Sequence, residues 1–162
     1  MEGSVTIRKA RREDCKAIIE LIQELADFEK MPYGPKINHE ALERDGFDSE
    51  QPLFQCYVAV AEEKVIGYAL YYFVYSTWTG KEMLLEDLCV ASNYRNKNVG
   101  SMLFQTVAKT AVDQNCHRMD FIVLNWNPAQ DFYKKRGAID ITKAEGWHLY
   151  RLNETALKEL IQ

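Results

Sequence analysis

The stretch Leu85-Glu86-Asp87-Leu88-Cys89-Val90, followed by Tyr94-Arg95-Asn96-Lys97-Asn98-Val99-Gly100-Ser101, holds the residue types best suited to binding and chemistry. A strand that ends in a basic turn and opens a helix at Gly100 would aim successive backbone N–H groups and the positive helix end at one point. That is how proteins hold a diphosphate. Arg95 adds charge to such a site, and Lys97 can add more. The same pattern also describes an ordinary solvated connection, and these residues taken alone leave both readings open.

Other chemistries find less support. Cys15, Cys56, Cys89 and Cys116 lie far apart with no Cys-x-x-Cys pair, so no zinc knuckle or redox motif can be drawn and all four are expected to be reduced and structural. His39, His117 and His148 are isolated, with no carboxylate or second His at helical ligand spacing, and no metal is assigned. The net charge of −4 and the lack of a long Lys/Arg run argue against nucleic acid and leave room for a cationic small molecule. The longest apolar stretch, Val65 to Tyr75, contains Gly67 and falls well short of the roughly 20 residues that span a bilayer, so no membrane partner is expected. No charged-then-apolar leader precedes Val5-Thr6-Ile7-Arg8, and a cytoplasmic location is expected.

The elements that must position this stretch follow from periodicity. A length of 162 residues, 47% hydrophobic and 27% charged, suits one folded domain over residues 1–162. Val5 to Arg8 suggests an opening strand. Asp14 can cap a helix whose apolar stripe is Ile18, Leu21, Ile22, Leu25 and Phe28. Pro32-Tyr33-Gly34-Pro35 breaks that helix and makes a loop that could act as a substrate lid. A weaker helix then covers His39 to Arg44 before Asp45-Gly46 turns the chain. Three aromatic and β-branched runs, Phe54 to Val60, Val65 to Tyr75 and Glu82 to Val90, are joined by Glu62-Glu63-Lys64 and Trp78-Thr79-Gly80, which predicts an antiparallel meander. Leu103, Val107 and Ala111 repeat at helical spacing after the basic turn. Met119 to Leu124 reads as a strand, Pro128 to Lys135 as a short helix, Trp147 to Leu152 as a last strand and Thr155 to Ile161 as a terminal helix. Strand, helix, strand in that order predicts a parallel crossover there.

With these segments in order, the chain resembles the GNAT superfamily of N-acetyltransferases, whose coenzyme loop reads Arg/Gln-x-x-Gly-x-Gly/Ala between a strand and a helix. Within it, the chain is similar over nearly its whole length to the diamine (spermidine/spermine) acetyltransferases. The matching words are Leu25-Ala26-Asp27-Phe28-Glu29-Lys30, Asp45-Gly46-Phe47, Tyr71-Tyr72-Phe73, Trp78-Thr79-Gly80-Lys81, Leu85-Glu86-Asp87, Trp126-Asn127, Phe132-Tyr133-Lys134-Lys135-Arg136-Gly137-Ala138 and Glu145-Gly146-Trp147. Asn98 departs from the pattern, standing where the family usually has its first glycine. Asn is the non-glycine residue best able to hold a left-handed backbone.

The resemblance implies an α/β (α+β) fold with a mixed, mostly antiparallel central sheet flanked by helices and a parallel, splayed strand pair at the acetyl-CoA site. It implies acetyl-CoA as cosubstrate, no metal, a small-molecule amine as the other substrate and a homodimer to which the segment with Trp147 and Tyr150 could add contact area. An alkylammonium is mostly protonated at neutral pH and must lose a proton to attack a thioester, which makes Glu86 the candidate base, acting through a water. The alternative for Glu86 is simple electrostatic binding of the ammonium. Backbone N–H groups of Leu88, Cys89 and Val90 are the implied oxyanion donors, and Tyr133 matches the family's general acid toward the departing thiolate. Arg95 to Ser101, that is Arg95, Asn96, Lys97, Asn98, Val99, Gly100 and Ser101, would hold the coenzyme diphosphate. Asn127, Pro128, Ala129 and Gln130 resemble the stretch lining its pantetheine arm. Phe28, Glu29 and Glu145 resemble amine-contacting positions, and Asp120, Phe121 and Ile122 resemble the strand flanking the substrate. Glu29, Glu86, Asp87 and Glu145 together would suit a substrate with more than one positive charge.

At Ser76, in Tyr75-Ser76-Thr77-Trp78-Thr79-Gly80, the spermidine/spermine branch typically carries an acidic residue and the sister branch, associated with thialysine and lysine-like amines, carries serine. The sequence leans to the sister branch. Two alternatives stand beside a small-amine acetyltransferase: a protein-lysine acetyltransferase, and a catalytically silent acetyl-CoA-binding module.

Overall fold

The β-branched and aromatic runs pair into a sheet in the computed structural model of the chain, which describes residues 4–162. β1 (Thr6–Lys9), β2 (Gln55–Ala61), β3 (Lys64–Ser76), β4 (Gly80–Val90) and β5 (Met119–Asp120) lie side by side in that order. β1 to β4 are antiparallel neighbours, and β5 joins β4 in parallel. The β2–β3 hairpin turns on Glu62 and Glu63 at φ 50° and 63°, the left-handed pair whose twist matches the flanking strands. The β3–β4 hairpin closes on Ser76, whose Oγ accepts from the N–H groups of Trp78 at 3.1 Å and Thr79 at 3.3 Å.

Strand alternation sorts the two faces of the sheet. On one, Cys56, Val58, Tyr68, Leu70 and Cys89 form a buried cluster with Cys15, Ile18 and Leu21 of α1 (Cys15–Phe28) and Leu42 of α2 (His39–Gly46). On the other, Tyr57 stacks on Tyr71 and meets Thr110 of α3 (Val99–Asp113) at 2.9 Å. Leu103, Val107 and Ala111, the stripe read from the sequence, are buried. Gly67 sets the approach of α3, because a Cβ there would lie 2.8 Å from the Cys89 carbonyl oxygen and 3.3 Å from Leu103. Burial pushes the Cys15 thiol up to about 11 and the Cys89 thiol up to about 12, which keeps both protonated and unreactive at neutral pH.

The described chain divides after Leu124 into two compact units. The second, Asn125–Gln162, carries α4 (Ala129–Lys134), α5 (Ile141–Glu145) and α6 (Glu154–Glu159). Each helix starts on a side-chain acceptor: Asn127 for the Ala129 N–H, Asp140 for Lys143 and Asn153 for Ala156. Among the described residues no helix is long and apolar enough to cross a membrane.

Four expectations need correction. The strand expected over Met119 to Leu124 is confined to Met119–Asp120, where it pairs with Met83 and Leu84. Phe121 and Ile122 follow it outside any strand. The strand expected over Trp147 to Leu152 does not form. Alternation alone builds no ladder without a partner, and among the described residues this segment has no strand partner. The parallel crossover therefore runs from β4 through α3 to β5, earlier in the chain than expected. Asp14 precedes α1 but makes no cap bond to it. Its carboxylate accepts from the Arg11 N–H at 2.6 Å and pairs with Arg8 at 2.7 Å, closing the turn before the helix.

Candidate active site

One irregularity organises the site in the first unit. Tyr71 opposes Leu85 and Leu70 opposes Asp87, so Glu86 is an extra residue on β4, a β-bulge. Side chains normally alternate across a sheet, which would send Glu86 and Asp87 to opposite faces. The bulge resets the count and turns both toward the face covered by α1. There Tyr72 donates to Glu86 Oε2 at 2.8 Å and Tyr68 donates to Asp87 Oδ2 at 2.7 Å.

The bulge resets the backbone as well. Before it, the Met83 N–H donates to the Arg118 carbonyl at 3.0 Å and the Lys81 carbonyl accepts from His117 at 3.0 Å, so the odd positions face β5. After it, the Ala91 N–H donates to the Ile66 carbonyl at 2.8 Å, so the odd positions face β3. The N–H groups of Leu88 and Val90 consequently point away from β3, on the side where pairing with β5 has already ended at Leu84. The Val90 carbonyl, directed the same way, accepts from Arg95 Nε at 3.1 Å. A pair of strand amides turned away from β3 beside two carboxylates can stabilise negative charge developing on a carbonyl oxygen while a nearby acid holds a cation.

The residue that follows α1, Glu29, supplies a third carboxylate. Burial, and then the charge of Asp87, raises the Glu29 carboxyl above its ordinary range. Asp87 is raised as well: burial pushes it up, the Tyr68 hydrogen bond pulls the other way and the Glu86 charge adds to the rise. Phe28 lies under the Arg95 guanidinium at 5.2 Å, and Glu24 accepts from the Ser92 N–H at 2.8 Å and meets Arg95 at 3.4 Å. Arg95 thus ties the end of β4 to α1 rather than projecting from the turn.

In the basic turn, Asn96 and Asn98 take φ 61° and 64°, and Asn98 precedes α3 with no side-chain cap bond. The first helical bond runs from the Met102 N–H to the Asn98 carbonyl at 3.1 Å, which leaves the opening turn of the helix to other acceptors. A Cβ at Gly100 would meet only Val90, at an ordinary 3.8 Å, so no protein neighbour demands glycine there. Its bare backbone suits close approach of a phosphate, and the residues fit a diphosphate. A cleft of 370 Å³ flanks the turn between Tyr94, Lys97 and Val99 on one side and Val5 and Ala61 on the other.

The second unit holds the remaining expected residues. Asn127, Pro128, Ala129 and Gln130 form the entry to α4, with Gln130 reaching back to the Asn125 carbonyl at 2.9 Å. Tyr133 is half-buried on α4, edge-on to Phe132 at 5.1 Å. Arg136 lies 3.6 Å from the Phe132 ring centroid and donates to its carbonyl, and the Ala138 N–H returns to the Tyr133 carbonyl at 3.1 Å, which locks the end of the helix. Glu145 ends α5 and accepts from the Trp147 indole at 2.6 Å.

A model of the acetyltransferase (GNAT) family matches residues 16–138. The chain belongs to the acetyltransferase (GNAT) family. It is 45% identical over 98% of both chains to a thialysine N-epsilon-acetyltransferase of Sus scrofa. It is 37% identical, over 95% of this chain and 23% of the relative, to a human spermidine/spermine N(1)-acetyltransferase-like protein. Among solved structures, an integron cassette protein from the mobile metagenome of V. cholerae superposes with a TM-score of 0.78 at 27% identity, covering 98% of each chain.

For a GNAT acetyltransferase, the first unit brings together Phe28, Glu29, Glu86, Asp87, the Leu88 to Val90 strand end and the Arg95 to Ser101 turn. Asp120 stands apart from the bulge at the parallel β4–β5 pair, 3.3 Å from Arg118. Phe121 packs edge-on to Phe104 at 5.9 Å, and Ile122 is exposed. Sequence reasoning missed Tyr68, Tyr72 and Glu24. The Tyr-Tyr-Phe word was visible at Tyr71 to Phe73, but only the bulge shows which tyrosine meets which carboxylate.

Proposed function

We propose that this GNAT enzyme transfers the acetyl group of acetyl-CoA to the primary amine of a small, lysine-like cation, with thialysine the first candidate, by direct attack in a ternary complex. The observation that carries this reading is the bulge on β4, which gathers Glu86 and Asp87 on one face and frees the Leu88 and Val90 amides on one edge. Similarity to thialysine acetyltransferases over nearly the full length supports the choice of amine.

Acetyl-CoA supplies the acetyl group as an activated thioester. Glu86 accepts the proton of the incoming ammonium through a water, which releases the amine lone pair. The Leu88 and Val90 N–H groups donate to the carbonyl oxygen as charge develops on it. As the C–N bond forms and the C–S bond breaks, Tyr133 gives its proton to the leaving sulfur, and the second proton shed by the acetylated nitrogen restores the phenol. The turn from Arg95 to Ser101 holds the diphosphate, with Asn127 to Gln130 along the pantetheine arm. Phe28, Glu29 and Asp87, and Glu145 from the second unit, receive a further positive charge of the substrate. Ser76 brings no carboxylate to the site, which weakens attraction for a long polycation.

The reading takes the two units as one catalytic domain, cytoplasmic and homodimeric. A panel of thialysine, lysine, diamines, spermidine, spermine and a histone-tail peptide, each assayed with acetyl-CoA, tests it. Thialysine and lysine-like amines are expected to give the highest kcat/KM. Peptide acetylation at comparable rates would make the chain a protein-lysine acetyltransferase. Tight acetyl-CoA binding without turnover on any amine would make it a silent module.

A further inference from the structure

Glu86 is exposed and sits on the extra residue of a bulge, where neither strand pairing nor close packing fixes its side chain. Its carboxylate nevertheless has a defined partner. Tyr72 stands on β3 opposite Leu84, two residues before Glu86, and its ring packs against the core on the α1 face. From that diagonal position, which aromatic side chains can span, the hydroxyl reaches Glu86 Oε2 at 2.8 Å. We infer that Tyr72 is a positioning residue for the reaction, holding Glu86 in the rotamer that meets the amine. This rests on Glu86 being the proton acceptor.

Three features suit Tyr72 to the task. Its ring is anchored by packing, so the donor is fixed before the substrate arrives. A carboxylate has room for about four hydrogen bonds, so one donor on Oε2 leaves Oε1 and further lone pairs for a water and an ammonium. Burial and the Glu86 charge push the Tyr72 phenol up to about 12, so the hydroxyl keeps its proton across the neutral range and stays a donor. The neighbouring pair is built alike, but Tyr68 and Asp87 are both withdrawn from solvent, whereas Glu86 is open to it. One carboxylate is held inside and the other is held at the surface in a set direction.

The test is a cycle of Tyr72→Phe, Glu86→Gln and the double variant, measured for kcat, for both KM values and for melting temperature. Tyr72→Phe retains the ring, so melting is expected to stay near the parent's. Turnover should fall about 10-fold, in keeping with the cost of a misdirected reacting group, with KM for acetyl-CoA unchanged. In the Glu86→Gln background the same substitution should change kcat less than about 2-fold, because coupled residues are not additive. Parent-like kcat in Tyr72→Phe while Glu86→Gln is impaired overturns the role of Tyr72 and leaves Glu86 as base. An equal loss in both backgrounds, or a rise in KM for acetyl-CoA together with a drop in melting temperature, shows that Tyr72 only supports the sheet and also overturns it. Parent-like turnover in Glu86→Gln itself removes the base, and the positioning role falls with it.

Discussion

Tyr68 donates to Asp87 at 2.7 Å from within the sheet, where Tyr68 itself is inaccessible to solvent. Burial raises Asp87 despite that bond. The native state therefore binds the Asp87 proton more tightly than the unfolded chain does. Stability is lost as pH rises from the ordinary carboxylate range through the raised value, and the charged group then weighs against folding at neutral pH. Asp87→Asn keeps the shape and an acceptor for Tyr68. It is expected to raise the melting temperature at pH 7 by about 3 °C, with the gain vanishing near pH 4, and to weaken binding of a dicationic amine. Thermal unfolding at the two pH values checks the sign.

Glu86→Gln is expected to lower kcat/KM for the amine by about 10²–10⁴-fold at neutral pH. The deficit should shrink as the assay pH approaches the amine's own pKa near 10, where free amine is abundant without a base. A deficit that stays constant from pH 7 to pH 10 would assign Glu86 to ammonium binding alone.

Tyr133→Phe keeps the edge-on packing with Phe132 and removes only the hydroxyl. Turnover is expected to drop about 10²–10⁴-fold, with acetyl-CoA affinity little changed by calorimetric titration. Near-normal turnover would take Tyr133 out of the mechanism.

Asn98 holds φ 64° and contributes no cap bond, so its backbone conformation and not its amide is what the turn uses. Asn98→Gly is expected to retain or tighten acetyl-CoA binding. Asn98→Ala should cost about 1–2 kcal/mol in stability, because alanine resists the left-handed region. A large loss of affinity in the glycine variant would show that the asparagine side chain touches the ligand.

The meander was legible because Phe54 to Val90 alternates aromatic and β-branched runs with short polar links, and the helices because their apolar stripes keep a single phase. The turn that opens α3 was legible through its basic residues and the glycine at 100. The strand at Trp147 was misread because alternation describes a strand without naming its partner, and the one at Met119 was drawn too long for the same reason. The bulge at Glu86 was hidden because Leu-Glu-Asp-Leu fits an unbroken strand as well as an interrupted one. Only pairing with Leu70 and Tyr71 discloses the extra residue. The partners Tyr68 and Tyr72 depend on that register, and Glu24 on the packing of α1 against the segment after β4, so none of the three could be read from the sequence.

The extra residue in β4 has a consequence for anyone altering this sheet. Inserting a partner for it on β3, between Leu70 and Tyr71, would restore a regular pleat and, with the Met83 half of the strand held in place, turn Asp87 to the opposite side of the sheet and return the Leu88 and Val90 amides to the β3 ladder in the same stroke. Acid groups and amide donors are thus switched by a single increment of chain length, and an insertion that leaves every functional side chain in place would still dismantle the site.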